Sequence, residues 1–325
     1  MCKGWPPASG AVQPGYRPTP GRWWGPGGRG ILRASEDRRL PRIDQFESAF
    51  QSASKALFHH RHLPFTKVLV LTDMEPGPSK AWCSLVRGFL EALTSAPPTA
   101  WRTVPGAECV SVGDVLELVH DEKPDLVCTY RNLHSSAFAW PHSLSDHLEV
   151  LTQVSPCSVL LLPRPGPDGH TDLSDGGPRN VMALTDHLSG DDSLVNHSVA
   201  FAAAGGTLHL THVEDSAVFE RYIEVIGKIP GLDTDLARRL IMEQLLKEPA
   251  DYIRSCIEVL EKAGVSISIT AEVTSGHRLS RYKELVVNHA VDLLVLHTRD
   301  DDQLAMNGMS YPLAVELRDT PMLML

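Results

Sequence analysis

The residues able to do chemistry in this chain are histidines and carboxylates gathered at the ends of apolar runs. His297 closes VDLLVLH (291–297) and precedes Asp300, Asp301 and Asp302. His187 follows Asp186, the last residue of NVMALTD (180–186). If both runs are strands of one parallel sheet, these groups share its carboxyl edge, where open α/β folds bind ligands. Imidazoles and carboxylates there could move protons or hold a metal. Asp300 and Asp301 are hard oxygen donors of the kind that takes Mg²⁺, although a charge run is more simply a solvated loop. His59, His60 and His62 form a metal-like HHRH cluster. No partner ligands stand nearby in sequence, so a solvated linker is the simpler reading. No nucleophile is placed among these groups. The chain also lacks the phosphate loop GxxxxGK[ST], the elbow GxSxG, the zinc motif HExxH and a GxGxxG after a strand. Catalysis is therefore the lesser reading.

Composition narrows the field further. A formal net charge of −10 opposes non-specific nucleic-acid binding and adhesion to anionic membranes. No run approaches the roughly 18 apolar residues that span a bilayer, and MCKGWPPASG lacks the apolar core of a secretory signal. A cytoplasmic protein is expected. The six cysteines, Cys2, Cys83, Cys109, Cys128, Cys157 and Cys256, contain no CxxC pair. Cys128 and Cys157 read as small buried thiols rather than zinc ligands or disulfides.

Several elements must position those side chains. VLVLTD (68–73), PDLVCTY (124–130) and SVLLLP (158–163) read as buried parallel strands. Helical stretches are expected over 80–93 and 143–154. After a turn-rich stretch at 164–178, which reads as the interdomain linker, the pattern restarts. NVMALTD, TLHLTHVED (207–215), VSISITAEV (265–273), VDLLVLH and PMLML (321–325) read as strands. Helices are expected over 193–204, within 216–263 with a break near Pro230-Gly231, over 278–289 and over 310–317. Strands alternating with helices imply mainly parallel, doubly wound sheets. Residues 1–42 read as a disordered Pro/Gly-rich tail. Residues 43–63 read as a helix (43–58) and linker.

The chain repeats itself. Asp73 corresponds to Asp186 at an offset of 113, and Asp125 of PDLV to Asp292 of VDLL at 167. The jump implies that the first unit lacks about 50 residues, matching strand two and the long helix of the second. The expected architecture is two tandem α/β domains, a truncated one at 64–163 and a full one at 179–325, each with its own parallel sheet.

The second unit resembles the universal stress protein family along its length. The likeness rests on the strand ending in Asp186, on LTHVED, VTSGH and DLLVLH, and on the tail GMSYPLAVELRDTPMLML. The resemblance implies a Rossmann-like fold of the adenine nucleotide alpha hydrolase type and, in some members, an ATP site. There an aspartate ending strand one contacts the adenine side, and a GxxGx9G-Ser/Thr loop cradles the phosphates. By that correspondence Asp186, His297, Gly308 and Ser310, and in the first unit Asp73, are the candidate nucleotide contacts. Asp300 and Asp301 would be the metal ligands. The pattern is broken, however. His297 and Asp300 stand where the first two glycines belong, and Met309 replaces the hydroxyl residue beside Ser310. In the first unit Tyr130 and Ser145 take glycine positions. The resemblance thus implies a regulatory or binding protein of the stress response with degenerate ATP sites, acting on a protein partner. Its alternative is an ATP- or AMP-binding switch or weak ATPase using the second unit with Mg²⁺. The family also implies pairing, within the chain or between chains, through 158–163 and 321–325.

Overall fold

Short runs of Val and Leu with no polar face need a sheet covered on both sides. That is how β1 (Lys67–Leu71), β3 (Leu126–Tyr130) and β4 (Ser158–Leu162) are used, each buried over at least four of five residues. In the computed structural model the described residues are 56–91, 93, 97–136, 143–166, 171, 173, 176–185, 188–298 and 308–325. The expected tail and nearly all of the expected 43–58 helix lie outside them. Residues 56–58, at that helix's end, are not helical.

The described helices are α1 (Pro76–Glu91), α2 (Val112–Glu122), α3 (Asp146–Val154), α4 (Asp192–Ala200), α5 (Ser216–Ile226), α6 (Thr234–Lys262), α7 (Arg278–Asn288) and α8 (Ser310–Glu316). Helix α1 starts ahead of the expected 80–93, because Pro76 takes the first helical position, where a missing N–H costs nothing. Ser111 and Asp114 form a reciprocal capping box on α2. Asp191, Asp215 and Asp233 cap α4, α5 and α6.

The remaining strands are β2 (Ala100–Val104), β5 (Asn180–Thr185), β6 (Thr207–Asp215), β7 (Ser268–Gly276), β8 (Leu293–Leu296) and β9 (Met322–Met324). They form one sheet, not the two separate sheets expected, because β4 and β9 pair and close each other's edge, in the order β2-β1-β3-β4-β9-β8-β5-β6-β7. Within β2-β1-β3-β4 and within β9-β8-β5-β6-β7 every pairing is parallel. The single antiparallel step joins β4 to β9, with Leu160 opposite Leu323. Two doubly wound blocks thus share one continuous layer, and their strands run in opposite directions.

Strand β2 was not expected from the sequence. It lies beside β1 in the position β6 takes beside β5, so the first block lacks the outermost strand rather than the second. The repeat is also written in the backbone. Asp125 accepts the N–H groups of Thr66 and Lys67 ahead of β1, and Asp292 accepts those of Arg179 and Asn180 ahead of β5. Two residues before each aspartate, Lys123 and Ala290 both turn the chain left-handed at φ 46°.

Arg131 fastens the blocks together. Its side chain is buried just beyond β3, and it donates to the carbonyls of Arg318 (2.9 Å), Leu317 (2.8 Å), Thr320 (3.4 Å) and Ala314 at the end of α8. A cation among carbonyls at a helix C-terminus meets their partial negative charge. Burial pushes its pKa down to about 10, so it stays charged at neutral pH.

Cys83, Cys109, Cys128 and Cys256 are buried free thiols, while Cys157 is half-buried rather than buried. Among the described residues no helix is long and apolar enough to cross a membrane.

Candidate functional site

In each block the chain direction across the sheet reverses at its first strand, between β1 and β3 and between β5 and β8. Ligands of doubly wound folds bind at the carboxyl ends of such strand pairs. Asp73 and Tyr130 stand at that point in the first block. The matching residues of the second are Asp186, which lies outside the described residues, and His297.

The first of these places is filled from within. The Tyr130 hydroxyl donates to Asp73 Oδ1, and the Asp73 N–H donates back to the Tyr130 oxygen at 2.8 Å. Asp73 Oδ2 accepts the His134 N–H at 3.0 Å and lies 3.2 Å from both Nη1 and Nη2 of Arg164. Arg164 also donates to the Asn132 carbonyl at 2.7 Å, and its guanidinium sits 5.4 Å from the Tyr130 ring centre. Burial first, then the bond to Asp73, raises the Tyr130 pKa and keeps it a donor. Gly106 closes the other side. A Cβ there would stand 2.7 Å from the Asp73 carbonyl carbon, so only glycine allows this approach.

The loop after β3 holds backbone strain. Asn132 (φ 59°), His134 (φ 52°) and Ser145 (φ 96°) all lie at positive φ without being glycine. At φ 96° Ser145 holds a conformation that glycine adopts freely and other residues rarely do. His134 and His147 stack nearby with ring centres 5.0 Å apart, and burial followed by the His147 charge lowers the His134 pKa.

The second place is more open. His297 Nε2 lies 2.9 Å from Asp191 Oδ2, while Asp191 Oδ1 caps α4 by accepting the Leu194 N–H. The ring of His297 remains 31% exposed. Burial lowers the pKa of His197 on α4, and the neighbouring His297 also pushes it down. Ser310 is buried, and its hydroxyl donates to the His297 carbonyl at 2.5 Å, so that proton is not free for a phosphate. Gly308 is exposed, with nothing within 4 Å of where a Cβ would stand, so no close approach requires glycine there. Helix α8 spans seven residues. His297, Ser310 and Asp191 are therefore brought together, whereas Asp186, His187, Asp300 and Asp301 lie outside the described residues. Among the described residues no three His, Cys, Asp or Glu side chains are grouped to hold a metal.

Three of the four HHRH residues, His59, Arg61 and His62, are exposed, yet the segment is docked on the fold. It runs along α4, with His59 Nδ1 3.0 Å from Asp192 Oδ2, His60 Nδ1 3.1 Å from Asn196 Oδ1 and the Arg61 N–H donating to the same amide oxygen at 2.8 Å. Phe58 anchors it edge-on against Tyr252 of α6. Tyr252 in turn donates to Asp192 at 2.7 Å.

Sequence reasoning missed Arg164, Tyr130 as a partner of Asp73, and Asp191. Asp191 carried a usable signal, since it precedes an amphipathic run as an N-cap would. Arg164 carried none, lying 91 residues from Asp73 in a stretch read as linker.

Solved universal stress proteins are among the structures this chain is similar to. One, from Pseudomonas aeruginosa UCBPP-PA14 and assigned to that family by its description, is 15% identical over 80% of this chain and 82% of its own, with a TM-score of 0.40. A universal stress protein from Archaeoglobus fulgidus DSM 4304 is 13% identical over 76% of each chain, with a TM-score of 0.35. A functionally unknown protein of Pseudomonas aeruginosa PAO1 is 15% identical over 89% of each chain, with a TM-score of 0.38. Likenesses this loose assign no ligand or activity to this chain. No family model matches the sequence, and no curated protein matches it.

Proposed function

We propose that this chain is a non-enzymatic binding and regulatory protein of the universal stress type, with degenerate nucleotide sites and a protein partner. The observation that carries this reading is the closure of the first site. The carboxylate that the family would offer to a nucleotide is spent on Tyr130, His134 and Arg164. Opening it would expose a buried phenol and separate an ion pair, so a nucleotide would have to supply that free energy before gaining any of its own. Hydrolysis would also need a positioned base and water, whereas Asp73 is held by Tyr130 and Arg164 and His297 by Asp191.

The second reading is a nucleotide switch in the second block, which would use His297, Gly308, Ser310 and Asp186 with Mg²⁺ on Asp300 or Asp301. The partly exposed His297–Asp191 pair at the carboxyl edge favours it. Thermal unfolding with and without ATP, AMP and Mg²⁺ separates the two. A ligand at a hundredfold excess over its Kd adds about 2.7 kcal/mol of stability. No shift up to millimolar nucleotide supports the binding-protein reading. A saturable shift lost in His297→Ala supports the switch.

A further inference from the structure

The described residues with large, exposed apolar side chains are not scattered. Six of eleven fall within 218–240: Val218, Tyr222, Val225, Ile229, Leu232 and Leu240. Val218, Tyr222 and Val225 follow one another at helical spacing along α5. The neighbouring face, Phe219 and Ile223, is already buried against the sheet side. Helix α5 is therefore apolar over about twice the arc that its own core covers.

The exposed stripe belongs to a helical arm. Of the 29 residues of α6, none before Pro249 is buried, so its first four turns stand away from the core. There they meet α5, and Arg238 pairs with Glu220 across the two helices. This arm falls within the roughly 50 residues by which the second unit exceeds the first, so the first block has no counterpart to cover it.

We propose that the α5–α6 arm is a self-association surface, on which a second copy of this chain seats its own arm about a two-fold axis. Charge favours a like partner. Residues 216–248 carry five basic and six acidic side chains in a chain of net charge −10, so two arms meet almost without net repulsion. Size also fits. The stripe offers on the order of 500 Å² of apolar surface, the scale at which patches on a monomer are functional. Two such faces together reach about 1,000 Å², the lower limit for a specific interface. The pairing leaves β4 and β9 untouched, since those strands already pair with each other inside the chain.

Light scattering on the full chain after size exclusion tests this, across micromolar concentrations. The expected mass is twice the 35.6 kDa of one chain. The double variant Tyr222→Glu, Val225→Glu should halve it while keeping the far-UV circular dichroism of the parent and a single cooperative urea transition. Val287→Glu removes a more exposed apolar residue on α7 and should leave the dimer intact. A parent that stays at 35.6 kDa throughout, as expected if some other molecule covers the arm, overturns the proposal. So does a double variant that folds and remains dimeric.

Discussion

Arg164 reaches back across 91 residues to place two guanidinium nitrogens 3.2 Å from one carboxylate oxygen of Asp73. The pair is only partly exposed, so it is worth more than a surface ion pair and leaves a costly group behind when broken. Arg164→Ala strands Asp73 beside a buried tyrosine. We expect a loss of about 1–3 kcal/mol in urea unfolding, and a smaller loss for Arg164→Lys, which keeps the charge but not the fork.

Ser145 predicts a gain instead. At φ 96° an L-residue is strained, and glycine is not. Ser145→Gly should raise stability by about 1 kcal/mol, the relief of strain exceeding the added freedom of the unfolded chain. Denaturant unfolding measures it, and Ser145→Ala in the same assay should show no such gain.

Much of the fold was legible because its strands are buried on both faces, and runs such as VLVL and LLVL have few other uses. β2 was not, because Trp101, Arg102 and Thr103 are only partly covered at the sheet's edge, where burial does not force a pure apolar pattern. The places of Asp73 and His297, just beyond buried strands at the carboxyl edge of the sheet, were legible. What those side chains hold was not. Arg164, Tyr130 and Asp191 are partners set by folding over long sequence distances. The docking of the HHRH segment was hidden for the same reason, since its partners Asp192 and Asn196 lie more than 130 residues away.

Arg131 gives the largest expected loss. Its four carbonyl partners belong to the end of α8 and the turn beyond, and a side chain without donors leaves them unsatisfied. Arg131→Met should cost about 3–5 kcal/mol. Hydrogen exchange should report the loss first at 310–320, the segment that the guanidinium holds to the first block.

Acid should weaken the fold through its buried histidines. The pKa values of His134, His197 and His209 are all lowered, in each case first by burial. For His209 the stacked His289, 4.3 Å away, adds to the effect. A depressed folded-state pKa means that the unfolded chain takes up protons first. Stability is therefore complete above the ordinary imidazole value near 6.5 and falls as pH drops below it. Urea midpoints should decline between about pH 7.5 and about pH 5.5. His209→Gln should make that decline shallower.

The most direct test is calorimetric titration of the full chain with ATP and Mg²⁺, alongside Asp73→Asn. Closure of the first site from within predicts no binding heat in the parent chain at millimolar nucleotide and none in the variant. Saturable binding in the parent chain that disappears in Asp73→Asn would mean the nucleotide displaces Arg164, and would contradict the account.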